Sequence, residues 1–383
     1  MIHSDDVTAW IAQVRQQPEA APGIIEALAA RLMELDQQNE ALRAELLRLR
    51  RNQETAADGG RVAALTRRMQ ALERQLERGV QAGPGEVTRA LLVFTLDGRG
   101  VRLPLPIAKA WRRRDDLALV ADHLRPRYLL VVAEEDDLLL LSDKGRAVRL
   151  SVADVGPGSP PANYLPLLPE LTLDLDESIS VIAPLTASFD RLTLVTRKGY
   201  ARSFRRAEMD SLLERNLPLH SSPIEGDYPA FVTLSDGKSE LLIVTRDGKG
   251  VRFSERLVGV QSQAAINLDR GDVVVGAAVV KERTTKRPHD VVIINADGVA
   301  ARREMSGFTA HPTAGNRGKI FTRIKNLIAA APVDQDGALW LLTASGQLLA
   351  VPAAKVPSGP GASSGKALVK LDKDRVVALA VSP

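Results

Sequence analysis

The chain has 383 residues, a formal net charge of +4 and no cysteine, which excludes disulfides, thiolate metal sites and cysteine-dependent catalysis. No apolar stretch approaches the ~20 residues of a membrane span, and the acidic N-terminus MIHSDDVTAW lacks the pattern of a signal peptide. A cytoplasmic location is therefore expected. Residues 1–88 are net −2 and the remainder is net +6, which suits a polyanionic partner, although many soluble domains are as basic.

The N-terminal part is predicted to be helical. Residues 1–22 are expected to form a short helix, with Ser4 as its cap, and a linker. Residues 23–80 are assigned to a coiled coil that is interrupted near 58–60. Its main apolar seam follows a heptad repeat and comprises Ile25, Leu28, Leu32, Leu35, Asn39, Leu42, Leu46 and Leu49.

The seam predicts a parallel homodimer. Asn39 falls at an a position, where a buried pair of Asn side chains favours one register of two parallel strands. Two pairs between flanking positions agree, since Arg31 would meet Asp36 and Glu45 would meet Arg50 of the second helix. An internal hairpin folded across the glycines at 58–60, or packing on the rest of the chain, is the alternative. Residues 81–88, which contain GPG, are expected to be a linker.

The remaining residues contain six copies of one pattern. A five-residue apolar strand ends in Thr, Ser or Asn, two residues follow, and then comes a glycine. These glycines are Gly98, Gly145, Gly199, Gly248, Gly298 and Gly346. A hairpin turn of this kind needs a residue with positive φ, which glycine adopts without steric cost. A basic residue follows four positions after the glycine in four copies, and three positions after it in the third.

A second, weaker pattern fills the interval between these hairpins. INLDRGDVVVGAAVV (266–280) and LTLDLDESISVIAPL (171–185) each contain a strand, an acidic turn and a further apolar strand. Each repeat thus holds about four strands. A period near 50 residues with four strands per unit indicates blades arranged around an axis. A mainly β, propeller-like fold is therefore expected for residues 89–383.

LLVFTLDGRGVRLPL (91–105) and LLIVTRDGKGVRFS (241–254) resemble the repeats of the C-terminal domain of the bacterial DNA gyrase and topoisomerase IV A subunits. The resemblance covers about three quarters of the chain. It implies a six-bladed β-pinwheel, preceded here by the N-terminal α-helical coiled coil, whose blades exchange strands with their neighbours. It also implies that the disc binds and bends DNA along its rim.

The sequence departs from this family in two respects. The basic Gln-Arg-Arg-Gly-Gly-Lys-Gly-type box expected before the first blade is replaced by RGVQAGPGEVTRA (78–90), and a partial likeness, GNRGK, occurs at 315–319. The catalytic half of the family's subunit is also missing, and the four tyrosines, Tyr128, Tyr164, Tyr200 and Tyr228, all lie inside the repeats. We therefore expect a stand-alone protein that is not an enzyme and uses no cofactor and no metal ion.

The expected function is non-catalytic binding of duplex DNA through phosphate contacts, as an architectural protein or an accessory of gyrase. The alternative is a protein-interaction scaffold that keeps the fold but has lost DNA wrapping, with gyrase or another protein as partner. The arginines after the hairpin turns are expected to lie in solvent. The candidate DNA-binding residues are Arg102, Arg112, Arg113, Lys144, Arg146, Arg149, Arg197, Lys198, Arg202, Arg205, Arg206, Arg246, Lys249, Arg252, Arg302, Arg303, Arg317 and Lys319.

Overall fold

A computed structural model describes residues 88–105, 126–157, 173–174, 176–186, 188–221, 224–280, 290–371 and 373–382. The chain divides into two compact units, residues 1–85 and 86–383. The predicted N-terminal helix and coiled coil, and residues 81–87 of the predicted linker, lie outside the described residues. All described residues belong to the second unit, which we call the β domain.

The strands of the β domain form six sheets among the described residues, and we number the sheets in chain order. Sheets 1 to 3 are built on β1 (Arg89–Thr95), β2 (Gly100–Pro104) and β3 (Pro126–Ala133); β4 (Asp137–Ser142), β5 (Ala147–Ser151) and β6 (Ile179–Leu185); β7 (Arg191–Thr196), β8 (Tyr200–Arg205) and β9 (Pro229–Ser235).

Sheets 4 to 6 repeat this arrangement. They are built on β10 (Glu240–Thr245), β11 (Lys249–Ser254) and β13 (Val274–Val280); β14 (Asp290–Asn295), β15 (Val299–Glu304) and β17 (Leu327–Val333); β18 (Ala338–Thr343), β19 (Leu348–Pro352) and β22 (Val376–Ser382). In every sheet the first of these strands lies in the middle and pairs antiparallel with the other two. The prediction of a mainly β fold is confirmed.

The six hairpin turns share one hydrogen-bonding pattern. The side-chain oxygen of the Thr, Ser or Asn accepts a hydrogen bond from the backbone N–H that follows the glycine, at 2.9–3.2 Å. Each turn glycine has φ between +75° and +86°. The recurring sequence pattern is therefore explained by turn chemistry, in which a polar side chain satisfies a backbone donor that the strands leave unpaired.

The middle strands are buried on both faces, because each sheet packs between two neighbours. All six residues of β4 and of β18 are buried. The third strands, β3, β6, β9, β13, β17 and β22, contact one another in that order, and β22 contacts β3. Trp340 and Leu342 of sheet 6 share a core cluster with Leu91 and Val93 of sheet 1. The series of sheets therefore closes on itself.

Short strands from one repeat also pair with the second strand of the sheet before it. Strand β12 (Gln263–Ala264) pairs with β8, β16 (Lys319–Ile320) pairs with β11, and β20 (Ser358–Gly359) and β21 (Lys366–Ala367) pair with β15. The loops that carry them cross the preceding hairpin turn, where the N–H groups of Ile266, Thr322 and Leu368 donate to the carbonyl oxygens of the turn glycines at 3.0–3.1 Å. Helix α1 (Arg206–Glu214) takes the corresponding place after β8.

Candidate nucleic-acid interface

The arginines that follow the hairpin turns point toward the next sheet. The Arg102 Nε donates to the Val155 carbonyl at 3.4 Å, and the Arg302 Nε donates to the Val356 carbonyl at 3.2 Å. The Arg252 Nη1 donates to the carbonyls of Met305 and Phe308 at 2.8 and 2.9 Å. Each acceptor lies in or beside the short 3-10 turn after the second strand of the following sheet.

Carboxylates of the same sheet hold these arginines as well. An acidic residue at the start of the middle strand lies diagonally across the hairpin from the arginine, on the same face of the sheet. The pairs are Arg149–Asp137 at 2.7 Å, Arg252–Glu240 at 2.5 Å and Arg302–Asp290 at 3.6 Å. Arg102 pairs instead with Glu134, at 3.2 Å.

Two further arginines of this group are held by aromatic rings. The guanidinium of Arg202 lies 4.2 Å from the ring centroid of Phe204, and its Nη1 donates to the Leu219 carbonyl at 3.3 Å. The Arg303 guanidinium lies against the rings of Phe308 and Phe321, 4.9 and 5.1 Å from their centroids, and donates to the Phe321 carbonyl. Burial lowers the pKa of the Arg303 guanidinium.

These positions differ from the expectation that the arginines lie in solvent. Arg302 and Arg303 are each 7% exposed, and the side chain of Arg252 is 14% exposed. The reason is that both faces of each sheet pack against a neighbour, so side chains on the second strand face protein rather than water. Arg149 remains exposed at 39% although it is ion-paired. The arginines that donate to the following sheet therefore join one sheet to the next. Arg202 and Arg303 instead hold the loop that follows the second strand of their own sheet.

The basic residues of the turns themselves are exposed or half-buried, and most have a nearby acceptor in the acidic turn of the same repeat. The Lys144 Nζ lies 2.6 Å from Asp176 Oδ1, and the Arg146 side chain pairs with Glu177. Lys249 lies 2.5 Å from Asp269. Lys198 donates to the Glu225 carbonyl, and Arg197 lies 5.9 Å from the Tyr228 ring centroid. Arg246 donates to the Gly271 carbonyl, and its Nε lies 3.7 Å from Asp247 Oδ1.

Four predicted residues lie elsewhere. Arg205 ends β8 and Arg206 begins α1, so both lie at the end of sheet 3 that is opposite its hairpin turn. Because β8 has six residues, about 20 Å separates the two ends of sheet 3. Arg112 and Arg113 lie outside the described residues.

Two loops carry exposed cations that make no ion pair with another described residue. We call residues 309–326 and 355–375 the basic loops. Their exposed cations are Arg317, Lys319, Arg323, Lys325, Lys355, Lys366, Lys370, Lys373 and Arg375. The two loops touch, since the Arg323 N–H and the Thr322 Oγ1 both donate to the Ser363 carbonyl at 2.9 Å. The basic loops are therefore joined at this point, and their described cations face solvent.

Lys319 and Lys366 occupy equivalent positions on neighbouring sheets. Lys319 is opposite Gly250 and Lys366 is opposite Ala300, and each of these partners comes two residues after its turn glycine. The corresponding residue of the preceding loop is Gln263. Sequence reasoning found Arg317 and Lys319 but missed the other cations, although aligning the exchanged strands would have paired Lys319 with Lys366.

A cleft of about 250 Å³ opens beside Lys319, between the second strand of sheet 4 and the loop that joins the second and third strands of sheet 5. His311, Asn316 and Arg317 line it together with Arg252. The hydrogen bond from Lys249 holds the pKa of the Asp269 carboxyl below its ordinary value, and the charge of Arg317 acts in the same direction. Arg317 and Lys319 therefore give this cleft exposed positive charge.

Within the described part of the chain, no three metal-ligating side chains come together. The same part contains no helix that is long and apolar enough to cross a membrane.

Comparisons with known proteins agree with this architecture. The sequence model of the family described as "DNA gyrase C-terminal domain, beta-propeller" matches residues 136–159, 239–281 and 341–383. The A subunit of DNA gyrase from Staphylococcus aureus (strain MRSA252) is 24% identical over 260 residues, which cover 65% of this chain and 29% of that protein. A solved structure described as "Structure of DNA gyrase A C-terminal domain" superposes with a TM-score of 0.62 and 18% identity, covering 77% of this chain and 100% of the other.

The β domain is similar to the C-terminal domain of the A subunit of DNA gyrase. A crystal structure of the C-terminal domain of DNA topoisomerase IV shares the fold, with a TM-score of 0.54, 20% identity and coverage of 76% of this chain and 93% of the other. The chain spans 29% of the length of the curated gyrase relatives that it matches. The predicted family resemblance is thus confirmed for the β domain.

Proposed function

We propose that the β domain is a closed, six-bladed pinwheel that binds duplex DNA without catalysis, as an architectural protein or an accessory of gyrase in the cytoplasm. The observation that carries this proposal is the pair of equivalent, exposed lysines, Lys319 and Lys366, on two adjoining basic loops. A duplex offers phosphates at regular intervals, so cations repeated from sheet to sheet suit phosphate contacts. Base readout is not part of the proposal.

The turn cations would make a smaller contribution. Lys144 and Arg146 pair with carboxylates of their own repeat. DNA phosphates would have to displace those carboxylates before they could contact the two cations. Arg102, Arg252 and Arg302 are better explained as contacts between sheets. Arg303 is better explained as a support for the loop of its own sheet. The interface we propose is therefore centred on the basic loops, with the exposed turn residues at its margin.

We further propose that the predicted coiled coil at residues 24–50 joins two such domains. Two domains tethered to one another would bind neighbouring DNA segments at high effective concentration, which raises the apparent affinity without new contacts.

The test is DNA binding by the full chain and by two charge-matched triple variants. Lys319→Glu, Arg323→Glu and Lys366→Glu together should weaken retardation of a duplex of a few hundred base pairs. The dependence of log K on log salt should become shallower by about 0.9 for each phosphate that the variant no longer neutralises. The control reverses three exposed cations at the opposite end of sheets 3 and 4, Arg205→Glu, Lys238→Glu and Arg256→Glu, and should bind DNA like the wild type.

A protein-interaction scaffold is the second candidate, and the pairing of most predicted cations with carboxylates or carbonyls favours it. If wild-type protein fails to retard duplex DNA at low salt, or if both triple variants weaken binding equally, the DNA proposal is wrong. The scaffold proposal would then remain.

A further inference from the structure

A second basic surface lies away from the basic loops, in an open cleft of about 870 Å³ between sheets 3 and 4. We call it the basic cleft and define it by its five cations, Arg191, Arg205, Arg206, Lys238 and Arg256. They come from five places: the start of β7, the end of β8, the start of α1, the turn before β10 and the 3-10 turn after β11. Residues far apart in sequence therefore converge on one concavity.

The cleft carries an excess of positive charge. Its lining contains two carboxylates, Asp190 and Asp236, against the five cations. Asp236 is already engaged, since its Oδ1 accepts hydrogen bonds from the Lys238 N–H and the Ser239 Oγ at 3.0 and 3.4 Å. Arg205, Lys238 and Arg256 are exposed and make no ion pair with another described residue. At least three cations are thus available to a ligand.

A neighbouring cleft has the opposite charge. Between sheets 2 and 3, at the same ends of the strands, a smaller cavity of about 200 Å³ is lined by four carboxylates, among them Glu135 and Asp136, and by two arginines. The positive charge of the basic cleft is therefore a local feature of sheets 3 and 4. A ligand that recognises it by charge would be rejected one sheet away.

The shape and lining of the basic cleft indicate the class of ligand. A duplex is a rigid rod with its phosphates on a convex surface, whereas these cations converge in a concavity bordered by α1, the turn before β10 and the 3-10 turn. Single-stranded nucleic acid binds by stacking its bases on aromatic side chains. The aromatic ring among the described residues that line the cleft, Phe189, is 8% exposed and is covered by the Arg206 guanidinium at 5.0 Å. These residues therefore offer no stacking surface.

We propose that the basic cleft binds an acidic peptide segment, rich in Asp and Glu, of a partner protein. Guanidinium groups bind carboxylates with two parallel hydrogen bonds, and four of the five cations are arginines. A flexible chain can place successive carboxylates against cations that come from different elements. The cleft would recruit a partner while the basic loops, at the other end of the sheets, remain available.

The experiment measures fluorescence anisotropy of a labelled hexaglutamate peptide with the full chain at low salt, with hexaglutamine as the neutral comparison. Hexaglutamate should bind, and the triple variant Arg205→Glu, Lys238→Glu and Arg256→Glu should raise its Kd by about tenfold or more. The triple variant Lys319→Glu, Arg323→Glu and Lys366→Glu changes the net charge equally and should leave the Kd within about twofold. All six residues are exposed, and thermal melts would verify that both variants fold.

Three results would overturn the inference. The first is that hexaglutamate does not bind. The second is that both triple variants weaken hexaglutamate binding equally, which would indicate attraction by net charge. The third is that the cleft variant loses duplex binding while its Kd for hexaglutamate is unchanged. The first two results concern the peptide alone and leave the DNA proposal unchanged. The third would also contradict the control of the DNA proposal, which predicts loss of duplex binding in the loop variant alone.

Discussion

His220 is a buried histidine at the boundary of sheets 2 and 3, where the neighbouring Leu219 N–H donates to the Gly145 carbonyl at 2.9 Å. The side chain is 3% exposed, and neither ring nitrogen has a hydrogen-bond partner. Burial lowers the pKa of the imidazole; the charge of Asp227 opposes this shift and the charge of Arg202 adds to it. The folded protein therefore keeps His220 neutral at a pH where an exposed histidine is protonated.

This difference predicts a loss of stability in mild acid. Below the ordinary pKa of 6.5 the unfolded chain binds a proton that folded His220 does not, so the unfolding free energy falls as pH decreases. The slope from this residue is at most about 1.4 kcal/mol per pH unit. His220→Gln should flatten the dependence measured by urea unfolding between pH 7 and 5. An unchanged slope in His220→Gln would contradict the argument.

Gly145 is required for two reasons, and two substitutions separate them. Its φ is +82°, and a Cβ placed on it would lie 1.9 Å from the backbone oxygen of His220. Gly271 has φ +80° with nothing within 4 Å of its Cβ position. Gly271→Ala should cost about 1 kcal/mol from backbone strain alone. Gly145→Ala should cost clearly more, measured as unfolding free energy, because the packing between sheets 2 and 3 must also shift. Equal costs would mean that the close approach is unimportant.

The arginines on the second strands act at the scale of elements, since they fasten either the next sheet or a loop of their own sheet. Arg303 is a buried example of the second kind. It lies against two aromatic rings and supports the loop between the second and third strands of sheet 5 by donating to the carbonyls of Ile320 and Phe321. Without the guanidinium these carbonyls would lose a charged donor inside the protein.

Arg303→Ala should therefore lower the unfolding free energy by about 2–4 kcal/mol, through the missing hydrogen bonds and the cavity left beside Phe308. Arg205→Ala offers a matched control on an exposed arginine and should change stability by less than about 0.5 kcal/mol. Chemical denaturation measures both. If Arg303→Ala leaves the unfolding free energy unchanged, Arg303 does not have the structural role assigned to it.

At the scale of the whole molecule, the closure between sheets 6 and 1 makes every repeat necessary. Trp340 is fully buried in the cluster that these two sheets share, and its Nε1 donates to the Ser382 Oγ at 3.2 Å. Sheets in a closed series bury their apolar faces only against neighbours. Removing one repeat would separate two pairs of faces at once.

Deleting the fifth repeat, residues 290–333, should abolish cooperative folding rather than yield a smaller stable domain. Circular dichroism melts would show this as the loss of a sharp transition. Removing residues 1–80, which leaves all six sheets intact, provides the control and should preserve the transition. A soluble five-repeat chain that melts cooperatively would argue against closure.

The predicted coiled coil also acts at this scale. Sedimentation should report a dimer of the full chain at micromolar concentration and a monomer after removal of residues 1–80. Asn39→Leu should raise the stability of the helices while relaxing the number of strands that associate, because a buried Asn pair selects two parallel strands at a cost in stability. A monomeric full chain would favour the internal hairpin instead.

The repeats, the turns and the mainly β fold could be predicted because they depend on local chemistry. Gly248 and Thr245 lie three residues apart, and their roles in the turn follow from φ and from one side-chain hydrogen bond. Such interactions are complete within a few residues, so the sequence displays them directly. Repetition then gave the number of units and, with the family resemblance, the architecture.

Tertiary packing decides which charged side chains are buried and which partner each of them meets. Arg302 looks in sequence like Arg149, yet the first is 7% exposed and the second is exposed, because the neighbouring sheet differs. Lys144 meets Asp176 across 32 residues of chain, whereas Lys319 and Lys366 meet no carboxylate among the described residues. Charge pairing depends on which loop crosses which turn, and that arrangement exists only once neighbouring sheets have packed and exchanged strands.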